Sequence, residues 1–291
     1  MVSPGYLAYH PDPKKPDQDL PPGSCDSHCH VFGPVAQFPF SAASSYEPVD
    51  AGCDTLFQRH RFLGLDRAVI VQASCHGSNN DAMLDALKRA EGDNYRGIAV
   101  VDRDISWHEL EAMHEAGVRG VRFNFVKRLG SAKPLEHYRD ILKKIAPLGW
   151  HIIVYFDAED LVDLQPFFET IEVPVVVDHM GRVPVEQGTD SVAFKLLHDL
   201  LTGNEKYWVK VSCAERLSKI GPPYSDVDHI AKTLIAAVPD RVLWGTDWPH
   251  PNMKSHMPDD GQLVDRVFSI AESGTLQQKI LIDNPTRLYW P

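Results

Sequence analysis

The chain has 291 residues, 43% of them hydrophobic and 24% charged, and a formal net charge of −11. That is enough apolar mass for one large domain with a sizeable core, and it excludes disorder as the dominant state. No apolar run is long enough to span a bilayer and no Lys/Arg-rich run offers a face to phosphate backbones, so neither a membrane nor a nucleic acid is an expected partner.

Residues 1–24 hold six prolines and little apolar pattern, and are expected to form an irregular N-terminal arm. Residues 25–291 change character: short β-branched runs alternate with stretches of helical periodicity, eight times over. Strands are expected to begin near Cys25, Arg67, Tyr95, Val118, Trp150, Val173, Tyr207 and Arg241. Between them lie helix candidates such as DAMLDALKRAEG, with Asn80 as its expected N-cap, and SWHELEAMHEAG, where Ser106 and Glu109 have capping-box spacing. Gly117 and Gly149 stand where helices should stop before a strand.

Eight such units in roughly 265 residues match a single (β/α)8, TIM-type barrel of the α/β class. A doubly wound open sheet would normally show a glycine-rich phosphate turn, and neither GxGxxG nor GxxxxGK[ST] occurs. Five cysteines (Cys25, Cys29, Cys53, Cys75, Cys213) follow no charged-then-apolar leader, so reduced thiols in a cytoplasmic setting are expected. The sequence carries no signal of oligomeric state.

In a barrel, alternate strand residues point inward and catalytic groups gather at the strands' C-terminal ends. Applied here, that parity puts His28 and His30 on one face with Asp26 a layer deeper, Gln72 with Ser74, and Arg122 with Asn124. Tyr155, His179 and Asp247 end the fifth, sixth and eighth strands, and Arg216 follows the seventh. Buried charges are expensive unless paired or serving a ligand, so this convergence predicts a functional site.

Two imidazoles at i and i+2 on a strand end suit a metal ion, and equally suit hydrogen-bond donation to a developing oxyanion. Asp247 is the expected general base for a water. Arg122, Arg128, Arg182 and Arg216 form a cationic set in an otherwise acidic chain, and guanidinium forks suit carboxylates. Water addition to an acyl centre on a small polyanion is the chemistry these groups support. A Cys75 nucleophile beside His76 is disfavoured, because adjacent strand residues point to opposite faces.

The segments CDSHCHVFGP, IVQASCHG, GIAVVD, VRGVRFNFVKRL, VVVDHMGR and WGTDWPHPN, with a C-terminal NPTRLYW, resemble the amidohydrolase superfamily and within it the 2-pyrone-4,6-dicarboxylate lactonase group. The resemblance covers residue 25 to the end. It implies reversible opening of the pyrone lactone to 4-oxalomesaconate, a step in protocatechuate and lignin-aromatic breakdown. By that likeness Asp247 activates water, and His28, His30 and His179 polarise the lactone carbonyl. Arg122, Arg128 and Arg216 clamp the substrate carboxylates, while Tyr46, Ser74, Tyr155, Arg182, His250 and Asn252 match substrate-side positions.

Tyr155 stands where mononuclear members of the superfamily place a histidine, and a phenol is a poor divalent ligand at neutral pH. The group resembled works without a metal; zinc on His28, His30, Asp247 and His179 is the alternative. Competing readings are a zinc-dependent sulfomuconolactone hydrolase, a metal-dependent decarboxylase of the same superfamily, and a non-catalytic dicarboxylate binder, which would have no use for an inward Asp247.

Overall fold

The structure is a computed structural model that describes residues 5–127 and 133–291. Eight parallel strands pair in sequence order: β1 (Cys25–Cys29), β2 (Arg67–Val71), β3 (Tyr95–Ala99), β4 (Val118–Asn124), β5 (His151–Tyr155), β6 (Val175–Val177), β7 (Tyr207–Lys210) and β8 (Val242–Leu243). Backbone bonds from Ser27 N–H to Trp244 C=O (2.9 Å) and Asp247 N–H to His28 C=O (2.8 Å) join β8 to β1 and close the ring. The expected (β/α)8 barrel is the fold.

The outer layer is built from α1 (Cys53–Leu63), α2 (Asp81–Arg89), α3 (Trp107–Glu115), α4 (Leu135–Ile145), α5 (Leu161–Glu169), α6 (Val192–Gly203), α7 (Ala214–Leu217), α8 (Asp228–Ala237), α9 (Asp260–Ile270), α10 (Gly274–Gln278) and α11 (Asn284–Tyr289). In α2 the apolar spacing buries Ala82, Met83, Ala86 and Leu87 on one face, as an amphipathic helix must. Ser106 makes the expected capping box with Glu109 at the start of α3. Asn80 stands at the expected N-cap position of α2, but its side chain does not cap the helix: its amide bonds the Val100 backbone, and Asn79 Oδ1 takes the Asp81 N–H.

Two apolar layers follow strand parity. Val69, Val71, Ile98, Ile153, Val176 and Leu243 fill the barrel's lower interior together with Tyr289 from α11, and their strand neighbours meet the helices. Above that layer the inward positions become polar. No helix among the described residues is long and apolar enough to cross a membrane.

Parity fails where the chain departs from ideal strand geometry. A β-bulge lies between Asp26 and Cys29, since Asp26 pairs with Ala68 but Cys29 with Ile70. The extra residue flips the side-chain alternation, so Asp26 faces outward, accepting from His60 of α1 (3.3 Å) and from Thr246, and does not lie beneath His28 and His30. Gln72 also turns away, bonding the carbonyls of Gly77 and Asn79. A short 3-10 turn, Ser74–His76, rotates Ser74 back toward the barrel axis.

The N-terminal residues pack near the same end. Tyr6 meets Tyr46 with ring centroids 6.1 Å apart, Tyr9 meets Trp248 at 5.2 Å, and Leu7 N–H donates to Met253 C=O (2.9 Å).

Candidate active site

Closure of β8 onto β1 is what brings Asp247 to the HxH pair. Gly245 permits it, because a Cβ there would collide with the His28 backbone and with Asp26. Asp247 (φ 63°), His179 (φ 50°) and Asn252 (φ 68°) all sit in the left-handed region, an unfavourable conformation for residues with a Cβ. Strain of this kind, gathered at one end of a barrel, marks a site that the surrounding packing holds in place.

A small, polar-walled cavity opens there. Its walls include His30, Tyr46, Ser74, Arg122, Tyr155, His179, Arg216, Asp247 and Asn252. The Nε2 atoms of His30, His28 and His179 lie 3.2, 3.6 and 3.9 Å from Asp247 Oδ1. Val71 C=O accepts from His30 Nδ1 (2.7 Å), which turns the Nε2 of that ring toward the carboxylate. His179 Nδ1 pairs with Ser212 Oγ (2.8 Å). Asp247 Oδ2 accepts from Nε (3.0 Å) and an Nη (2.5 Å) of Arg216.

Burial alone would raise the Asp247 pKa. The Arg216 guanidinium, a hydrogen bond from His30 and the nearby imidazoles outweigh burial and hold the carboxyl well below its usual range. Burial, helped by the Lys210 charge, pushes His28 down to about 3, and burial pushes His179 well below its ordinary value. At neutral pH His28 and His179 are therefore neutral rings beside a carboxylate. Arg122 spreads its guanidinium 4.8 Å from the centre of the Tyr155 ring, with its Nη2 3.4 Å from Asp178 Oδ2.

Not every predicted residue lines the cavity. His28 sits behind Asp247, and Arg182 lies beyond Tyr155, donating to the Tyr155 hydroxyl (2.9 Å) and to Asp157 (2.7 Å). His250 is wholly buried against Asp260 (2.8 Å) and Glu215 (3.8 Å). Burial opposes its charge, but those carboxylates raise it to about 9, so it is an imidazolium serving an internal ion pair. Arg128 lies outside the described residues. Cys75 is buried, its thiol pushed up to about 12 by burial, and the His76 ring turns instead to Pro39 C=O.

Two charged residues of the site were not foreseen. Lys210 on β7 and Asp178 after β6 are both completely enclosed, with the Lys210 Nζ 2.9 Å from His28 Nδ1 and 3.2 Å from Asp178 Oδ1. The parity rule would have found them: Lys210 falls in step with inward Trp208, and Asp178 with inward Val176.

Several buried donor sets could hold a metal by distance alone: His28–His30–Asp247, His28–Asp178–His179 and His179–Cys213–Asp247. Their charge environment opposes it. Arg216 occupies one oxygen of Asp247, and Lys210 stands against His28.

A barrel that gathers a carboxylate, imidazoles and arginines over its C-terminal strand ends is built for hydrolytic chemistry on a small anion. The chain belongs to the amidohydrolase family, whose model matches residues 25–290. It is 50% identical to the 2-pyrone-4,6-dicarboxylate hydrolase of Comamonas testosteroni, an alignment covering 99% of this chain and 97% of the relative. The 4-sulfomuconolactone hydrolase of Hydrogenophaga intermedia is 36% identical, over 93% of this chain and 89% of that one. Among solved structures, a "probable 2-pyrone-4,6-dicarboxylic acid hydrolase" from Acinetobacter baumannii with citric acid bound superposes with a TM-score of 0.80 at 28% identity, covering 92% of this chain and 100% of that one.

Proposed function

We propose that this protein is a lactonase that reversibly opens 2-pyrone-4,6-dicarboxylate to 4-oxalomesaconate in the bacterial breakdown of protocatechuate and lignin-derived aromatics. The observation that carries the reading is the shared cavity. Asp247 faces imidazole nitrogens on one side while Arg122 and Arg216 line the same space, in a chain 50% identical to a hydrolase of that lactone.

In this reading a water bound between Asp247 and the lactone carbonyl loses a proton to Asp247 as its oxygen bonds to the carbonyl carbon. His179, which reaches the cavity, donates to the developing oxyanion, while His30, held by the Val71 carbonyl through Nδ1, faces Asp247 with Nε2 and shares the proton that Asp247 takes. Collapse breaks the ring C–O bond, and the enol oxygen leaves with the proton held by Asp247. An enol is a good leaving group, so the reaction needs less electrophilic help than amide hydrolysis. His28 does not reach the cavity and acts on the carbonyl only through Asp247. Arg122, Arg128 and Arg216 bind the substrate carboxylates, with Arg216 shared between substrate and Asp247. Tyr46, Ser74, Tyr155 and Asn252 shape the pocket; Asn252 offers a buried, unpaired Oδ1 toward the substrate. Residues 1–24 act as an accessory arm, of which Tyr6 and Tyr9 pack near the mouth.

The enzyme works without a bound metal in this reading. A divalent cation among His28, His30 and Asp247 would sit beside the Arg216 guanidinium and the Lys210 side chain, whose positive charge disfavours it. The test is ultraviolet loss of 2-pyrone-4,6-dicarboxylate by enzyme stripped with a strong chelator. Full activity is expected. Activity that vanishes and returns with zinc overturns the metal-free site, and turnover of 4-sulfomuconolactone in place of the dicarboxylate overturns the substrate.

A further inference from the structure

Lys210 is a lysine with no exposed surface, on the inner face of β7, and the reaction described above gives it no task. Its Nζ is 2.9 Å from His28 Nδ1. An ammonium carries three donors and no acceptor, so the ring nitrogen facing it must accept. Burial lowers the Lys210 pKa, and Asp178, 3.2 Å from Nζ, opposes that shift and favours the ammonium.

Asp178 Oδ1 is also 3.2 Å from His28 Nδ1 and is the alternative partner for that nitrogen. Yet neither Asp178 oxygen accepts a hydrogen bond of acceptable geometry, whereas Lys210 is aligned and closer. With Nδ1 accepting, the single proton of a neutral His28 resides on Nε2. That atom is buried without a hydrogen-bond partner and lies 3.6 Å from Asp247 Oδ1.

We propose that Lys210 is a positioning residue that fixes His28 as the Nε2–H tautomer, so that the ring presents a donor to Asp247 Oδ1 and orients the carboxylate that receives the water's proton. The HxH pair is thereby asymmetric. Lys210 puts the His28 proton on Nε2, while the Val71 carbonyl puts the His30 proton on Nδ1 and leaves the Nε2 of that ring to exchange one with Asp247. The same two ring types on one strand end thus take different duties, one steering the base and the other sharing its proton. The inference rests on the lactonase reading for the task of Asp247, but the tautomer itself does not.

The experiment uses the full-length protein labelled with 15N-histidine. Long-range proton–nitrogen correlations, with His28 assigned by comparison with His28→Asn, are expected to show a protonated Nε2 and a bare Nδ1. A protonated Nδ1 would make Asp178 the partner and overturn the proposal. Kinetics form the second arm. Lys210→Met leaves the buried Asp178 with Arg122, 3.4 Å away, as its remaining cationic partner, so the double variant Lys210→Met/Asp178→Asn is made beside it to preserve the fold. In the folded double variant, kcat is expected to fall about 100-fold, the scale of one lost oriented donor, with KM little changed and the His28 proton spread over both nitrogens. Unchanged kcat, or a retained pure Nε2–H tautomer, overturns the proposal. If the unmodified protein does not hydrolyse the pyrone yet shows Nε2–H, the lactonase reading fails while the assigned tautomer stands; hydrolysis with Nδ1–H reverses that result.

Discussion

Replacing Asp247 by Asn keeps the side-chain volume and removes one charge, which separates the chemistry of this residue from its packing. The carboxylate is almost fully buried and its Oδ2 takes two N–H groups of Arg216, at 3.0 and 2.5 Å. Neutralising one member of a buried pair typically costs about 3–5 kcal/mol, because the other charge stays behind uncompensated. Arg216 keeps the Pro251 carbonyl (2.8 Å) and a distant Glu215 (3.9 Å), and the new amide oxygen still accepts one hydrogen bond. The expected loss is therefore at the lower end, about 3 kcal/mol. Loss of a general base removes on the order of 10²–10⁴ in rate, equivalent to about 3–5 kcal/mol of barrier. Urea denaturation followed by circular dichroism reads the first quantity, and ultraviolet loss of the pyrone reads the second. Substrate binding is expected to survive, since the arginines remain. Near-normal turnover in a folded Asp247→Asn protein would refute the base assignment, and unchanged stability would refute the strength given to the Asp247–Arg216 pair.

Arg216→Met should lower kcat and raise KM together, because the guanidinium holds Asp247 and lines the cavity. Measured in the Asp247→Asn background, its effect on substrate affinity should be about 10–100-fold, the range of a charge-assisted hydrogen bond; unchanged affinity there removes Arg216 from the clamp. Stability should fall on mild acidification. Burial holds His28 and His151 down to about 3 from an ordinary 6.5, so between those values the unfolded chain binds more protons than the folded one. That stability is fully present above pH about 6.5 and is lost as the pH falls, each histidine contributing about 1.4 kcal/mol per pH unit. Asp178 and Asp247, whose folded pKa values are depressed, add a further loss below the usual carboxylate range. A urea midpoint that stays flat from neutral pH to about 4.5 would contradict this ordering.

Local pattern was enough for the architecture. The alternation of β-branched runs with helical periodicity, the capping box at Ser106 and Glu109, and strand starts at Cys25, Arg67, Tyr95, Val118 and Tyr207 can be read from neighbouring residues alone. So can the gathering of Asp247, His30, His179, Tyr155 and Arg122 at one end, because in a barrel the same parity and the same strand terminus imply the same place. Lys210 and Asp178 were equally legible by parity, but a charged residue inside a strand reads as a surface position until the strand is known to be enclosed on both faces.

What the tertiary structure alone decided are the relations between distant segments. The bulge that turns Asp26 outward appears only when β1 is paired with β2, since two residues must be seen to oppose one. Closure of β8 onto β1 sets Asp247 within 3.2 Å of His30, and the fork of Arg216 onto Asp247 rather than into free space depends on where two loops meet. His250, adjacent in sequence to the site, is claimed by Asp260 and Glu215 behind it. Periodicity assigns a residue to a face and an end because backbone geometry repeats along the chain. Which partner a charge finds across the barrel depends on distances between segments far apart in sequence, and only the folded chain fixes those.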